Sequence, residues 1–448
     1  MKTKPEVKFR VFEDRTAVND LGSTAGSLLA ILKAWDIGKI EDKETVHFCG
    51  LIGHPDLGTT AFIPRQSSTG NAEVDKEIAA YTMRALSRFG AEVSQREFES
   101  DGEAGNPNLL SVVKKLAEDF RQFGIFSERE RIRTRNSGKI DWGRTLSRVV
   151  ATPGSGGRPV FLDLRTSRSR SETNANLSQI QAAVMREILA MHGWWLSVGR
   201  GRDVELRSVP LPPSRRAKWE GQLSRILPTL YSARSLFLAE HLKYYLSHTR
   251  ASSSGTFVFG LTDFHSVWEA MLRETLKRPP EDTGRNWTRE LPKPTYNLAN
   301  GSRPEARQQG MIPDIILEGR DHYTIIDAKY YAATSSATAP GWPDIAKQQF
   351  YELGMRSVVG TTPEIESIFV FPGRNSEGPL HSVAMRDSSG RKVASFPEIR
   401  CAYADVATVL IAYIKRTSDL AIGSPLSASD LDSDSDSDSD DAERPARL

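Results

Sequence analysis

Pro313-Asp314-Ile315-Ile316-Leu317-Glu318-Gly319-Arg320-Asp321-His322-Tyr323-Thr324-Ile325-Ile326-Asp327-Ala328-Lys329 reads as two short strands around a turn at Gly319-Arg320-Asp321. Asp327 follows Asp314 by thirteen positions. Antiparallel pairing folds that distance back, so both carboxylates come to the open end of the hairpin. Asp327 and Lys329 are two apart and project from one face of the return strand. The run Thr324-Ile325-Ile326 drives into Asp327, and Tyr330 and Tyr331 follow. A strand this apolar is expected to be buried, and a buried carboxylate needs a cation or donors.

Two acids and a lysine in this pattern suit phosphodiester hydrolysis, which needs a hard cation at the phosphate and stabilisation of developing charge. Mg²⁺ takes oxygen ligands and keeps several waters, so one or two carboxylates suffice. Asp314 and Asp327 are the candidate ligands, with the Ala328 backbone carbonyl as a further oxygen and Mn²⁺ as a substitute ion. Lys329 is placed to orient water and neutralise phosphate charge. The plain alternative is a charged surface hairpin, since D-x-K triplets are common; the apolar setting and the Pro313-Asp314 pair weigh against it.

Outward from the hairpin, FHSVWEAMLRETLK (264–277) has helical spacing and stops at Pro279-Pro280. Glu269 lies one turn after His265 on this helix, so the two share a face. Glu269 is a candidate further carboxylate, against the reading of an ordinary solvent-facing residue. His265 reads as structural or phosphate-contacting. NWTREL (286–291) is a possible strand. PDIAKQQFYELGMRSVV (343–359) reads as a helix with Pro343 in its first turn. Lys347, Gln348, Gln349 and Tyr351 are candidates there for contacting the nucleic-acid backbone or positioning Lys329, against a solvated helix face. ESIFVFPG (366–373) is a buried strand, and VATVLIAYIKRT (406–417) a closing helix.

Upstream, TAGSLLAILKAW has helical spacing. VHFCGLIG (46–53) and TTAFIPR (59–65) read as paired strands, and 73–90 as a helix ending at Gly90. Asn108 can cap the helix that follows it. Residues 131–150 are strongly basic, mixing strand and helix. Arg131, Arg133, Arg135, Lys139, Arg144 and Arg148 could track a DNA backbone, face solvent or meet an acidic partner. RPVFLDLRTSRS (158–169) begins as a strand, 176–195 is an amphipathic helix, and two more helices fill 214–249. ASSSG (251–255) marks a boundary.

The sequence of 448 residues is 39% hydrophobic and 26% charged, enough to bury cores in two or three domains. No run approaches the roughly 20 apolar residues of a membrane span, and the N-terminus has no signal-type apolar region. The two cysteines, Cys49 and Cys401, make no metal pattern, so a reduced, cytoplasmic protein is expected. The net charge of +2 conceals an acidic tail. From Asp430 on there are eight acids and two arginines, leaving the body at +8. A basic body suits a polyanionic partner. The Ser-Asp alternation cannot form a core and is expected to be disordered, as a solubilising tail or a mimic of DNA.

PD…IIDAKYY, preceded by Phe264-His265-Ser266-Val267-Trp268-Glu269 and followed by WPDIAKQQFY (342–351), resembles the LlaJI restriction endonucleases and the related McrC nuclease subunits. HFCGLIG with AFIPR, and GKIDWGRTL (138–146), are weaker echoes, so the likeness runs loosely from about 45 to 375. The resemblance implies a PD-(D/E)XK fold and magnesium-dependent cleavage of double-stranded DNA within a restriction system that defends against phage. It also implies a partner, a McrB-like AAA+ GTPase. The sequence has no G-x-x-x-x-G-K-[ST] loop, and GSGGRP (154–159) lacks the lysine, so such a motor would act in trans. The acidic tail and the helical stretch before residue 250 depart from the family pattern.

The fold class expected is α/β. A PD-(D/E)XK core, a mixed sheet flanked by helices, spans 251–420. It follows a mixed α+β N-terminal region, 1–170, for partner docking and DNA contact, and a helical connector, 171–250. A disordered acidic tail, 421–448, closes the chain. Two other readings stand beside the nuclease subunit: a stand-alone type II-like restriction endonuclease, and an inactive nucleic-acid-binding scaffold.

Overall fold

The computed structural model describes residues 9–34, 39–41, 45–54, 56–101, 109–172, 176–196, 203–249, 256–304, 310–373 and 378–421. The acidic tail, the Asn108 cap, the Arg131 side chain and the ASSSG boundary lie outside them. Among the described residues no helix is long and apolar enough to cross a membrane. The chain divides into two units, Met1–Phe89 with Val258–Leu448, and Gly90–Phe257.

In the first unit, β1 (Phe9–Glu13), α1 (Ala25–Ala34), β2 (Cys49–His54), β3 (Gly58–Ile63), α2 (Ala72–Asp101) and β4 (Phe257–Leu261) come first. The four strands form one sheet in the order β1-β3-β2-β4. The expected hairpin of β2 and β3 is present, with His54 opposite Gly58, and β1 pairs with β3 in parallel. Leu28, Phe48, Ile52, Phe62 and Val258 bury together beneath the sheet, each worth about 1.5–3 kcal/mol. Because β4 completes a sheet begun far upstream, residues 1–89 group with the C-terminal half. The division at 170 and 251 read from the sequence therefore differs from the partition of the fold.

The same unit continues with α3 (His265–Thr275), β5 (Ile315–Glu318), β6 (His322–Ala328), α4 (Trp342–Val359), β7 (Glu364–Pro372), β8 (Ser382–Val383), β9 (Ile399–Ala404) and α5 (Val406–Lys415). The sheet runs β5-β6-β7-β9-β8. Its centre, β6, β7 and β9, is parallel, and its edges are antiparallel. This is the expected mixed sheet. Ile368, Phe369, Val370 and Phe371 are all buried, the continuous apolar run that a strand covered on both faces requires. Ile325 and Ile365 pack against Tyr351 and Met355 of α4. Helices α3 and α5 pack on each other, with Trp268, Leu272, Val409 and Leu410 buried. Asp405 caps α5 by accepting from Thr408 N at 2.8 Å.

Two local readings are corrected. Helix α2 runs through Gly90 to Asp101, because Gly90 lacks the positive φ that ends a helix; a helical glycine costs only about 1 kcal/mol. NWTREL is not a strand. Trp287–Glu290 forms one helical turn, with Trp287 buried and Leu291 N donating to its carbonyl at 2.9 Å.

In the second unit, strands Glu128–Arg135, Lys139–Ile140 and Arg165–Glu172 make an antiparallel sheet. Helices Leu109–Phe123, Asn176–His192, Trp219–Ile226 and Ala233–His248 pack together. Arg234 donates to both Asp119 oxygens at 3.0 Å, a bidentate pair that locks two of them. His192 is fully buried, and Trp195 Nε1 donates to its Nδ1 at 3.3 Å. Burial pulls its pKa down to about 3, against about 6.5 in an unfolded chain. The native state thus refuses a proton that the unfolded state accepts. Stability is full above pH 6.5 and is lost as pH falls towards 3. Thermal melts should show a loss of about 2 kcal/mol between pH 7 and pH 5, and His192→Gln should flatten that slope. An unchanged slope in the variant would overturn the assignment.

Candidate active site

The hairpin register sets the site. Ile315 lies opposite Ile326 and Ile316 opposite Ile325. One more step along the ladder places Asp314 opposite Asp327 at the open end. Asp314 Oδ2 accepts from Ala328 N at 2.8 Å, which ties the carboxylate to the return strand. Its backbone carbonyl accepts from Arg273 Nε at 3.1 Å, which ties it to α3.

Asp327 is 1% exposed, within β6. Two ammonium groups meet it. Lys347 Nζ donates to Oδ1 at 3.0 Å, and Lys329 Nζ lies 2.7 Å from Oδ2. The second contact is a close ion pair, so both oxygens of the buried carboxylate are met by an ammonium group. Lys329 Nζ also donates to Asp344 Oδ1 at 2.7 Å. The result is a chain of alternating charge, Lys347–Asp327–Lys329–Asp344. For both lysines burial would favour the neutral amine, but Asp327 outweighs it and holds each pKa above its ordinary value.

The carboxylates crowd one another. Burial, then the charges of Asp327 and Glu269, push the Asp314 pKa up to about 6. Glu269 is half-buried on α3 and is raised by burial, with Asp327 adding to it against Arg273. Negative charge that raises the proton affinity of Asp314 and Glu269 is charge that a cation would relieve. The donor set is all oxygen, and it brings three carboxylates, Asp314, Asp327 and Glu269, within electrostatic reach of one another. That chemistry fits Mg²⁺. No group of three or more His, Cys, Asp or Glu among the described residues forms a ready cage, but Mg²⁺ needs only one or two carboxylates beside its waters.

The structure therefore brings Asp314, Asp327, Lys329, Lys347 and Glu269 together. The Ala328 backbone N–H joins the group by donating to Asp314 Oδ2. His265 is exposed at the start of α3. Arg144 belongs to the other unit, half-exposed on the helix Trp142–Arg148 that Asp141 caps.

Two expected DNA contacts are corrected. Gln348 is fully buried, and its Nε2 donates to Ile325 O at 2.9 Å. It fastens α4 to β6. Tyr351 is 7% exposed, and its hydroxyl donates to Ile312 O at 2.7 Å; it anchors the segment leading into Asp314. Gln349 likewise donates to Pro397 O at 2.7 Å. Sequence reasoning missed Asp344 and Arg273. Asp344 had a legible signal, as an acid in the first turn of α4, three residues before Lys347.

The model of the LlaJI restriction endonuclease family matches residues 61–386. The chain belongs to that family. Within this LlaJI-family chain the matched range holds every acid and lysine of the site. Two solved structures are similar. One, described as a refined half-complex from a tetradecameric assembly of Thermococcus gammatolerans McrB AAA+ hexamers with bound McrC, has a TM-score of 0.35 at 12% identity and covers 91% of this chain and 98% of that one. The other, the cryo-EM structure of the Thermococcus gammatolerans McrBC complex, has a TM-score of 0.27 at 11% identity and covers 59% and 86%. No curated protein matches the sequence.

Proposed function

We propose that this LlaJI-family chain is the magnesium-dependent DNA endonuclease subunit of a restriction system, acting with an AAA+ GTPase supplied by another chain. The observation that carries the reading is the convergence of Asp314, Asp327 and Lys329 at the open end of one hairpin. The partner is carried by the resemblance to McrC subunits and the lack of a phosphate-binding loop in the sequence. Asp314 and Asp327 would hold Mg²⁺, with Glu269 beside them. Bound there, the ion supplies Lewis-acid stabilisation of charge on the phosphate. Lys329, held between Asp327 and Asp344, keeps its ammonium charged and fixed where it can orient a water and neutralise phosphate charge. Lys347 balances the second Asp327 oxygen, so each oxygen of the buried carboxylate faces an ammonium group.

Lys329→Met should lower the cleavage rate about 10²- to 10³-fold, while the affinity for DNA in Ca²⁺ changes little. Asp327 keeps Lys347 in that variant, so the fold should persist. Equal losses in binding and in rate would assign Lys329 to binding instead.

The test of the whole reading is plasmid cleavage by the purified chain, with Mg²⁺ or EDTA, with and without an AAA+ GTPase encoded beside it and GTP. Cleavage that needs Mg²⁺ and the GTP-bound partner supports the proposal. Cleavage with Mg²⁺ alone indicates a stand-alone endonuclease. DNA binding without cleavage under every condition indicates a scaffold.

A further inference from the structure

We infer that a cavity beside Asp314 is a subsite for one nucleotide of the strand being cut, its phosphate held chiefly by Arg285 with Arg278. The inference rests on the nuclease reading above and deepens it. The cavity has a volume of about 390 Å³ and is lined by Arg273, Arg278, Arg285, Asn286, Trp287 and Asp314, among others. That volume suits a small organic ligand and is more than a lone phosphate group needs. Asp314 is a wall of both the carboxylate site and the cavity. A strand with its scissile phosphate at Asp314 has this opening directly beside it.

Three guanidinium groups against two carboxylates, Asp282 and Asp314, line the cavity, and the surplus of positive charge marks it for an anion. Each is already positioned. Arg273 Nε is held by the Asp314 carbonyl. Arg278 Nη1 donates to Asp282 Oδ2 at 2.8 Å, and the Asp282 side chain is 3% exposed. Arg285 Nη2 donates to Glu290 Oε2 at 3.1 Å, and its guanidinium lies 4.7 Å from the Trp287 ring centre. Trp287 is itself 6% exposed, so the stack rests on a fixed ring. These contacts use one N–H of each arginine. A guanidinium has five, and its planar fork matches phosphate oxygens in pairs. Preorganisation lowers the entropy lost on binding. Asn286, exposed at the rim, adds an amide that can pair with a base edge.

The experiment uses the full chain and a short fluorescent DNA duplex, with binding followed in Ca²⁺ over a range of salt and cleavage followed in Mg²⁺. Arg285→Ala removes an ion pair between two part-exposed groups, so the fold should survive. Asn286→Trp fills the cavity from an exposed position without touching the arginines. Both should weaken binding about tenfold, as expected for loss of a charge-assisted phosphate contact. Arg285→Ala should also lower the slope of log K against log salt by about 0.9. Arg289→Ala removes an exposed arginine of the short helix Trp287–Glu290 just after them, one that does not line the cavity, and should leave both unchanged. If Arg285→Ala and Asn286→Trp bind and cleave like the parent while the parent cleaves, the subsite is overturned and the nuclease reading stands. An Arg289→Ala loss equal to that of Arg285→Ala also overturns it, since the effect is then general surface charge. A parent that neither binds nor cuts DNA overturns the nuclease reading and the subsite with it.

Discussion

Asp327→Asn is expected to lower DNA cleavage by on the order of 10³-fold or more, with the fold retained. The amide has the shape of the carboxylate, so no cavity opens in β6. What is lost is the charge that pairs with two lysines and that the proposed cation would bind. Lys347, its side chain 41% exposed, can turn to water. Lys329 is 14% exposed but keeps Asp344 at 2.7 Å. The stability loss should therefore stay below the 3–5 kcal/mol typical of breaking a fully buried pair. Single-turnover cleavage with the partner, a thermal melt and Mg²⁺ titration calorimetry separate the effects: activity and metal heat vanish while the melt shifts modestly. Cleavage within tenfold of the parent would sink the assignment of Asp327 as the central ligand.

Gly50→Val should destabilise the first unit by about 3 kcal/mol or more, a fall in Tm on the order of 10 °C for a domain of this size. A Cβ at Gly50 would lie 2.1 Å from Phe259 O and 2.5 Å from the Gly260 Cα, and Gly260 presses as closely on Cys49 O. Both partners are backbone, so nothing nearby can swing aside. β2 and β4 would have to separate. β4 leads directly into α3, which carries Glu269 and Arg273, so cleavage should fall with stability. Gly26→Ala is the control. Nothing lies within 4 Å of its Cβ position, and replacing a helical glycine should be neutral or stabilising by about 0.5–1 kcal/mol. A melt of Gly50→Val within 1 kcal/mol of the parent would show that the two strands do not depend on this contact.

The second of these results could not be anticipated from the chain, and α4 shows why. Its apolar and polar residues are distributed against hydropathy. Phe350 and Leu353 are exposed, while Gln348 and Glu352 are buried. Glu352 is accommodated by Arg356 Nη2 at 2.7 Å and Ser367 Oγ at 3.1 Å, and Gln348 by Ile325 O. Adjacent helical positions point about 100° apart, so Lys347 reaches Asp327 while Gln348 turns inward. Without knowing which face meets the sheet, the sequence offers both as surface groups.

By itself the sequence determined the hairpin of the candidate site. Asp314, Asp327 and Lys329 lie within seventeen consecutive residues, and strand periodicity with a tight turn is enough to bring them together. It also determined the mixed α/β class, because the apolar runs of β6 and β7 and the helix between them are local signals. The tertiary structure alone decided that Lys347 and Asp344 complete the charge chain, that Gln348 and Tyr351 are buried in contacts that fasten the fold, and that the N-terminal strands belong with the C-terminal half. Each of these depends on pairing or packing between segments remote in sequence, where many partners are compatible with the local pattern and only burial of the assembled sheet selects one.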